Sequence, residues 1–268
     1  MTNTIDAAAT IDTAATTLEI LHIGVPTVRF EYGGLTWLTD PTFDEPGDYP
    51  GPVTLYKLTG PAVPVSAIGP IDAVLLSHDQ HAENLDAAGR ALLPSIEHVL
   101  STPDAAGRME GVRGLANWES TRIGAVTVTG VPALHGPEGC ESQTGVVTGF
   151  VLAAEGLPTV YVSGDNASVE YVERIAERFP RIDIAILNVG AANVDRFGDI
   201  DLTLNGRTAA KASAALGDAV IVPVHAEGWA HFSEHLDYLT HRFTIAGRDH
   251  LLRFPTPGEV LAVAATAS

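Results

Sequence analysis

The sequence predicts a layered α/β fold, two β-sheets packed face to face with helices outside, which is an αββα sandwich. Three observations lead there. The first half of the chain is dominated by short runs with strand-like alternation. The second half alternates continuous apolar runs with helical periods, and no repeat is evident at short spacing. The 268 residues, 46% of them hydrophobic, suit one large domain with a substantial core. An open doubly wound sheet would satisfy the same pattern, and periodicity alone leaves the two side by side.

Residues 1–16 carry Ala, Thr, Asp and Asn without a sustained period and read as a flexible leader, with a single domain over 17–268. Leu18 to Ile23 is apolar, Thr27 to Tyr32 alternates, and Leu35 to Thr39 follows Gly33-Gly34, giving strands joined by a tight hairpin turn. Asp40-Pro41 ends that run, because proline withdraws a ladder donor. Phe43 to Pro70 is rich in Pro and Gly and reads as a long loop of the kind that often serves as a lid. Ile71 to Leu76 is a buried strand, Asn84 to Leu93 a helix, Val99 to Thr102 a strand and Pro103 to Met109 a short helix. Two strands fill Ala116 to Leu134 with a turn at Arg122 to Gly124, and another pair spans Val146 to Ala153 and Thr159 to Val162. Val169, Val172, Ile175, Ala176 and Phe179 recur at helical spacing, so Ala167 to Phe179 is an amphipathic helix capped by Asn166 or Ser168. Ile182 to Val189 and Ala219 to Val224 are buried strands around an Ala-rich helix, Arg207 to Leu216. Phe232, Leu236, Leu239 and Phe243 mark a last helix, and Leu251 to Phe254 a last strand.

Fifteen Lys and Arg stand against 33 Asp and Glu, a formal charge of -18. Such a surface repels phosphate backbones and anionic bilayers, so a small-molecule substrate is expected rather than nucleic acid or membrane; a homo-oligomer is compatible with it. No apolar run approaches the roughly 20 residues that span a bilayer. The N-terminus lacks a basic region followed by an apolar stretch. Cys140, the one cysteine, excludes an internal disulfide and reads as a free surface thiol. A reducing cytoplasm is the expected location.

Four polar clusters each follow a strand: Ser77 to Asn84, His135-Gly136, Gly164-Asp165-Asn166, and His225. Side chains at strand ends can converge on one rim of a sheet sandwich. Imidazoles with carboxylates are a ligand set preferred by zinc and accepted by iron or manganese. Each histidine alone would pass for a hydrogen-bonded rim residue. Their joint occurrence at strand ends is what points to a metal centre.

The markers His22-Ile-Gly-Val-Pro-Thr-Val, Leu38-Thr-Asp-Pro-Thr-Phe, Leu75-Leu-Ser-His-Asp-Gln-His-Ala-Glu-Asn-Leu-Asp, Pro132-Ala-Leu-His-Gly, Tyr161-Val-Ser-Gly-Asp and Val222-Pro-Val-His fall in order between about Leu21 and Phe254. In these the chain resembles the metallo-β-lactamase superfamily of metal-dependent hydrolases, especially small intracellular proteins related to ascorbate-6-phosphate lactonase. The resemblance implies the four-layer αββα fold, one or two metal ions, usually zinc with manganese or iron also compatible, and hydrolysis by metal-bound water. It places His135, Asp165 and His225 as the third histidine, the bridging aspartate and the last histidine. The first motif departs from the family's His-x-His-x-Asp-His. Read from the left, His78 is the first ligand and Gln80 replaces the second. Read from the right, His81, Glu83 and Asn84 take the places of the second histidine, the aspartate and the last histidine. The resemblance thus gives His78, His81, Glu83, His135, Asp165 and His225 as metal ligands, with a weakened second position at Asn84.

Among secondary candidates, Asp40 reads as a turn-stabilising aspartate before Pro41, although the family has an aspartate near this rim. His231, six residues beyond His225, could reach substrate or begin a helix at the surface. Trp229 reads as packing, and His22, His98, His235, His241 and His250 as structural or exposed. The leading reading is a metal-dependent hydrolase of a small lactone, ester, amide or phosphoester. Glu83 or Asp165 would move the proton, and His135 or His231 would steady developing charge. Two alternatives stand beside it. One is a phosphodiesterase or nuclease, which the charge disfavours for polymers. The other is a non-catalytic metal-binding module, motivated by Gln80 and Asn84.

Overall fold

A computed structural model describes residues 17–266, so the leader expected over 1–16 lies outside the described residues, as do 267 and 268. The strands in chain order are β1 (Thr17–Gly24), β2 (Thr27–Tyr32), β3 (Leu35–Thr39), β4 (Gly47–Tyr49), β5 (Leu55–Lys57) and β6 (Ala73–Leu75). Then come α1 (Ala87–Leu92), β7 (His98–Ser101), α2 (Pro103–Arg108), β8 (Val112–Gly114), β9 (Ser120–Ile123), β10 (Val126–Pro132) and α3 (Glu141–Thr144). The rest are β11 (Thr148–Ala153), β12 (Val160–Val162), α4 (Val169–Arg178), β13 (Ile184–Asn188), α5 (Gly206–Ala215), β14 (Val220–Val224), α6 (Leu236–Ile245) and β15 (Val260–Ala264). Among the described residues no helix is long and apolar enough to cross a membrane.

Seven strands pair as β15-β1-β2-β3-β6-β7-β8 and six as β14-β13-β12-β11-β10-β9. Side chains alternate across a strand, so each sheet has two faces to cover. Phe30, Trp37, Leu75 and Leu100 of the first sheet meet Phe150, Leu152, Ile184 and Val222 of the second in one buried core. Their strand neighbours point the other way. Leu38, Val74 and Val99 pack outward on Leu85, Leu93 and Ile96 around α1. Val151, Tyr161, Ala185 and Ile221 pack on Val172 and Ile175 of α4, Ala209 and Ala212 of α5, and Leu239 and Phe243 of α6. This three-core division makes the fold an αββα sandwich and excludes an open doubly wound sheet.

The β2–β3 turn runs through φ of 63° at Gly33 and 79° at Gly34, and a Cβ on Gly33 would also strike the Val126 side chain. Glycine supplies both the conformation and the space. At Gly89 of α1 the limit is steric alone. A Cβ there would overlap the Pro41 carbonyl, so Gly89 lets the helix lie against the end of β3. Gly89→Ala should cost about 1–3 kcal/mol by overpacking, read from the midpoint of urea unfolding. An unchanged midpoint would contradict this packing.

Several boundaries differ from the sequence expectation. The helix after the first motif starts at Ala87, because Asp86 caps it by accepting from the Gly89 amide at 2.8 Å. The segment expected to be a wholly irregular loop carries the β4–β5 hairpin. Leu251 to Phe254 is not a strand: Asp249–Leu251 is a 3-10 turn, and Leu252 makes only an isolated bridge to Ile221. The last strand is β15, largely exposed at the sheet edge, where weak apolar contrast hid it. The last helix starts at Leu236, leaving Phe232 in the preceding loop. Cys140 is buried beside Thr144 and the His135 carbonyl, correcting the expected surface thiol.

The directions of the strands matter most for function. β3 and β6 are parallel, and β10, β12, β13 and β14 share a direction because β11 lies antiparallel between β10 and β12. The C-terminal ends within each sheet therefore emerge together. At this rim the Thr148 amide donates to the Ser77 carbonyl at 3.1 Å, joining the sheets where the candidate residues emerge.

Candidate metal centre

Ser77 and His78 leave β6, His135 follows β10, Asp165 follows β12, Asn188 ends β13 and His225 follows β14. The backbone is strained at one of these ends, His225, and at Asp40 after β3. Asp40 has φ of 31° and His225 φ of 60°, conformations rare outside glycine. The His225 amide is anchored on the Val25 carbonyl at 3.0 Å, which holds the side chain inward.

Three imidazoles converge. His78 Nε2 lies 3.0 Å and His135 Nε2 3.1 Å from His81 Nδ1, and one nitrogen from each ring lies within 4.8 Å of the others. Outer contacts bear on which nitrogens carry protons. His135 Nδ1 is 2.8 Å from the Leu202 carbonyl, which can only accept, so Nδ1 donates and Nε2 holds a lone pair. With Asp40 ionised, the Ser77 hydroxyl donates to its Oδ2 at 2.9 Å and accepts from His78 Nδ1 at 3.0 Å, leaving a lone pair on His78 Nε2. His81 Nδ1 thus faces two lone pairs and can bring at most one proton. At least one pair of nitrogens opposes lone pair to lone pair, an arrangement that a cation between them would resolve. Burial keeps the His78 and His135 rings neutral. It pulls His78 down to about 3, with the neighbouring His81 adding to the effect. Burial also pulls His135 down to about 4, against the raising influence of Asp165.

Carboxylates complete the site. Burial pushes Asp165 up, but the surrounding imidazoles of His225, His135 and His78 and the Asn188 amide outweigh it and hold the carboxyl below its ordinary value. Its Oδ1 accepts from Asn188 at 2.7 Å and Asn84 at 3.1 Å, while Oδ2 is buried with no hydrogen-bond partner. Glu83 is buried too, and the imidazoles of His231 and His81 overcome that burial to hold it at about 2. Its Oε1 lies 3.5 Å from His231 Nε2 and 3.9 Å from His81 Nδ1. Burial pushes Asp40 up to about 8, reinforced by Asp165 and opposed by the Ser77 and Asn84 donors.

The geometry brings together His78, His81 and His135 in one tight group, with Asp165, Glu83, His225 and His231 beside it. His225 Nε2 is 3.7 Å from Asp165 Oδ1. Of the two readings of the first motif, that which includes His81 matches this convergence, whereas Gln80 is exposed and lies against Gly145. Asp40 is not a turn-stabilising residue. Its carboxylate accepts from the Ser77 amide at 2.6 Å as well as from the Ser77 hydroxyl, supporting His78 from behind. His231 is not at a surface helix start: its side chain is only 9% exposed and packs on Trp229 and Phe232. Asn188 was missed. Its signal was a lone amide ending a continuous apolar strand, as at the other polar strand ends.

A cavity of about 330 Å³ opens beside His81 and Glu83. The hairpin contributes Tyr49, Val53 and Leu55 to its walls, and the loop after β13 contributes Val194, Phe197 and Leu202. Arg196 and Gln80 are among its polar residues.

Residues 36–226, more than half of the chain, match the family described as the β-lactamase superfamily domain. A protein named UPF0173 metal-dependent hydrolase from Pyrococcus abyssi is 26% identical over 164 residues, covering 59% of this chain and 68% of that protein. Among solved structures, an isothiocyanate hydrolase from Delia radicum gut bacteria superposes with a TM-score of 0.81 at 22% identity, over 92% of this chain and all of the other. A possible metal-dependent hydrolase from Veillonella parvula gives 0.76 at 20% identity, over 92% and 99%. The two structures share the fold, and the family match carries the assignment further: this chain belongs to the metallo-β-lactamase superfamily of metal-dependent hydrolases.

Proposed function

We propose that the chain hydrolyses a small electrophile with an apolar body, at a zinc ion held by His78, His81 and His135. The observation that carries this reading is the convergence of three imidazole nitrogens, with His78 Nε2 and His135 Nε2 both turned on His81 Nδ1 at 3.0 and 3.1 Å. A divalent ion there would supply Lewis acidity and a water of lowered pKa. The remaining work falls to the chain. Leu202 and the Ser77–Asp40 pair fix the orientations of His135 and His78. Glu83, kept ionised by its imidazole neighbours, accepts a proton near the cavity floor. Asp165 presents its free Oδ2, steadied through Oδ1 by two amides.

The cavity walls favour a lactone, ester or amide over a phosphoester, because the lining is largely apolar and Arg196 is its one Lys or Arg. The isothiocyanate named for the Delia radicum gut enzyme is also a compact electrophile, and belongs in the same screen. The -18 charge argues against a polymeric nucleic acid. A reducing cytoplasm suits a chain with one cysteine, a location testable by cell fractionation.

The test is a panel of lactones, esters, amides, phosphodiesters and isothiocyanates, assayed with chelated and zinc-restored protein. Turnover that survives complete removal of metal would sink the proposal. On the best substrate, Phe197→Ala should raise KM about tenfold with little change in kcat, the loss expected from one aromatic wall. A fall in kcat alone would place Phe197 elsewhere in the reaction.

A further inference from the structure

Two of the three converging imidazoles are oriented from outside the group, His135 by the Leu202 carbonyl and His78 by the Ser77 hydroxyl. His81 has no such support. Among the described residues its polar contacts run through Nδ1 alone, to His78, His135 and Glu83, and Nε2 has no hydrogen-bond partner. Imidazoles that hold a metal almost always anchor their second nitrogen, so something else must place this ring. Its position in the motif is also unusual. By the sequence resemblance one residue separates the first two histidines, whereas Asp79 and Gln80 both lie between His78 and His81. The longer turn still brings the two rings edge to face, with centroids 4.8 Å apart and planes at 84°. That leaves the backbone to fix where His81 stands.

The turn is gripped at Asp79. Its carboxylate, only 5% exposed, accepts a forked pair from Arg108, with Nε donating to Oδ2 at 3.0 Å and Nη2 to Oδ1. The Asp79 carbonyl accepts from Arg90 Nη2 at 2.9 Å. The two arginines come from different helices, Arg90 from α1 and Arg108 from the end of α2. Met109, next to Arg108, links them, because its Sδ accepts from Arg90 Nη1 at 2.8 Å. A planar guanidinium meeting a carboxylate through two bonds fixes direction as well as distance. Beyond His81 the chain is fixed again, where its carbonyl accepts from the Asn84 and Leu85 amides at 3.1 and 2.9 Å. We propose that Arg108 is a positioning residue: by clamping Asp79, with Arg90 on the same residue's carbonyl, it holds the longer turn so that His81 meets His78 and His135. This rests on the hydrolase reading, in which those three imidazoles hold the ion.

The experiment compares zinc affinity, by competition with a chromophoric chelator, in the parent, Arg108→Gln, Arg108→Lys and Arg181→Gln. Circular dichroism first confirms that each apo-protein is folded. Arg181→Gln is the control, because it breaks an Arg–Asp contact, 2.8 Å to Asp183, outside the site. Arg108→Gln should weaken zinc binding at least about tenfold, the lower end of what a ligand's outer partner contributes. Arg108→Lys keeps the charge without the fork and should recover part of that loss. Arg181→Gln should bind zinc as the parent does. The visible spectrum of the cobalt-loaded protein should also change in Arg108→Gln, because a displaced imidazole alters the ion's surroundings and a mere loss of stability does not. Should Arg108→Gln fail to fold, Asp79→Asn tests the same grip from the other side, with the same weakening expected. Parental zinc affinity and an unchanged cobalt spectrum in Arg108→Gln, or in Asp79→Asn where it stands in, would overturn the clamp and leave the hydrolase reading intact. An equal loss in Arg181→Gln would overturn it as well. A parent that binds no zinc would remove the clamp and the hydrolase reading together.

Discussion

His135→Ala should abolish tight metal binding and lower hydrolysis by about a hundredfold or more. The magnitude follows because outer partners of a ligand are already worth about 10–100-fold, and this change removes the ligand itself. His135 is doubly committed: Nδ1 is spent on the Leu202 carbonyl, and Nε2 is turned to His81 with no proton to give. Metal content by elemental mass spectrometry and kcat/KM on the best substrate read the two effects together. Full metal content in His135→Ala with undiminished turnover would show that the three imidazoles are a structural knot.

The second large effect is on stability. Lys57 and Asp86 form an ion pair at 3.1 Å, with side chains 1% and 0% exposed. Asp86 also accepts from the Asp44 amide at 2.7 Å and caps α1 through the Gly89 amide. Lys57→Ala strands this carboxylate in the interior, and breaking a buried pair from one side costs about 3–5 kcal/mol. The consequence reaches the site, because Lys57 ends the hairpin whose Tyr49, Val53 and Leu55 wall the cavity. Urea unfolding should show the full loss, with a higher KM in the fraction that stays folded. A loss below about 1 kcal/mol would mean that water reaches Asp86 and that the hairpin is held by its apolar contacts alone.

The fold was legible in the sequence because its two periods are clean. Ile184 and Ile186 enter the inter-sheet core while Ala185 and Leu187 enter the helix-facing one. A strand buried on both faces reads as the continuous apolar run observed. The elements that escaped were the weakly patterned ones. β8 is three residues at a sheet edge, β15 buries little, and β4–β5 sits in a Pro- and Gly-rich stretch. In the site, histidines at strand ends stood out because residue type and position agreed. Asp40 and Asn188 did not, since their roles depend on which strand lies alongside. Asp40 meets Ser77 only because β3 and β6 are neighbours, and Asn188 meets Asp165 only because β12 and β13 are. The same holds for Cys140, whose burial is set by a loop folding back on Gly136 and Thr144. Sequence spacing carries no trace of such neighbours.

The most direct measurement is anomalous diffraction from crystals of the zinc-loaded protein, with data on both sides of the zinc absorption edge. The account predicts a peak about 2.0–2.1 Å from His78 Nε2, His81 Nδ1 and His135 Nε2 together. A protein that holds zinc elsewhere, with these three nitrogens still facing one another and no peak between them, would contradict it.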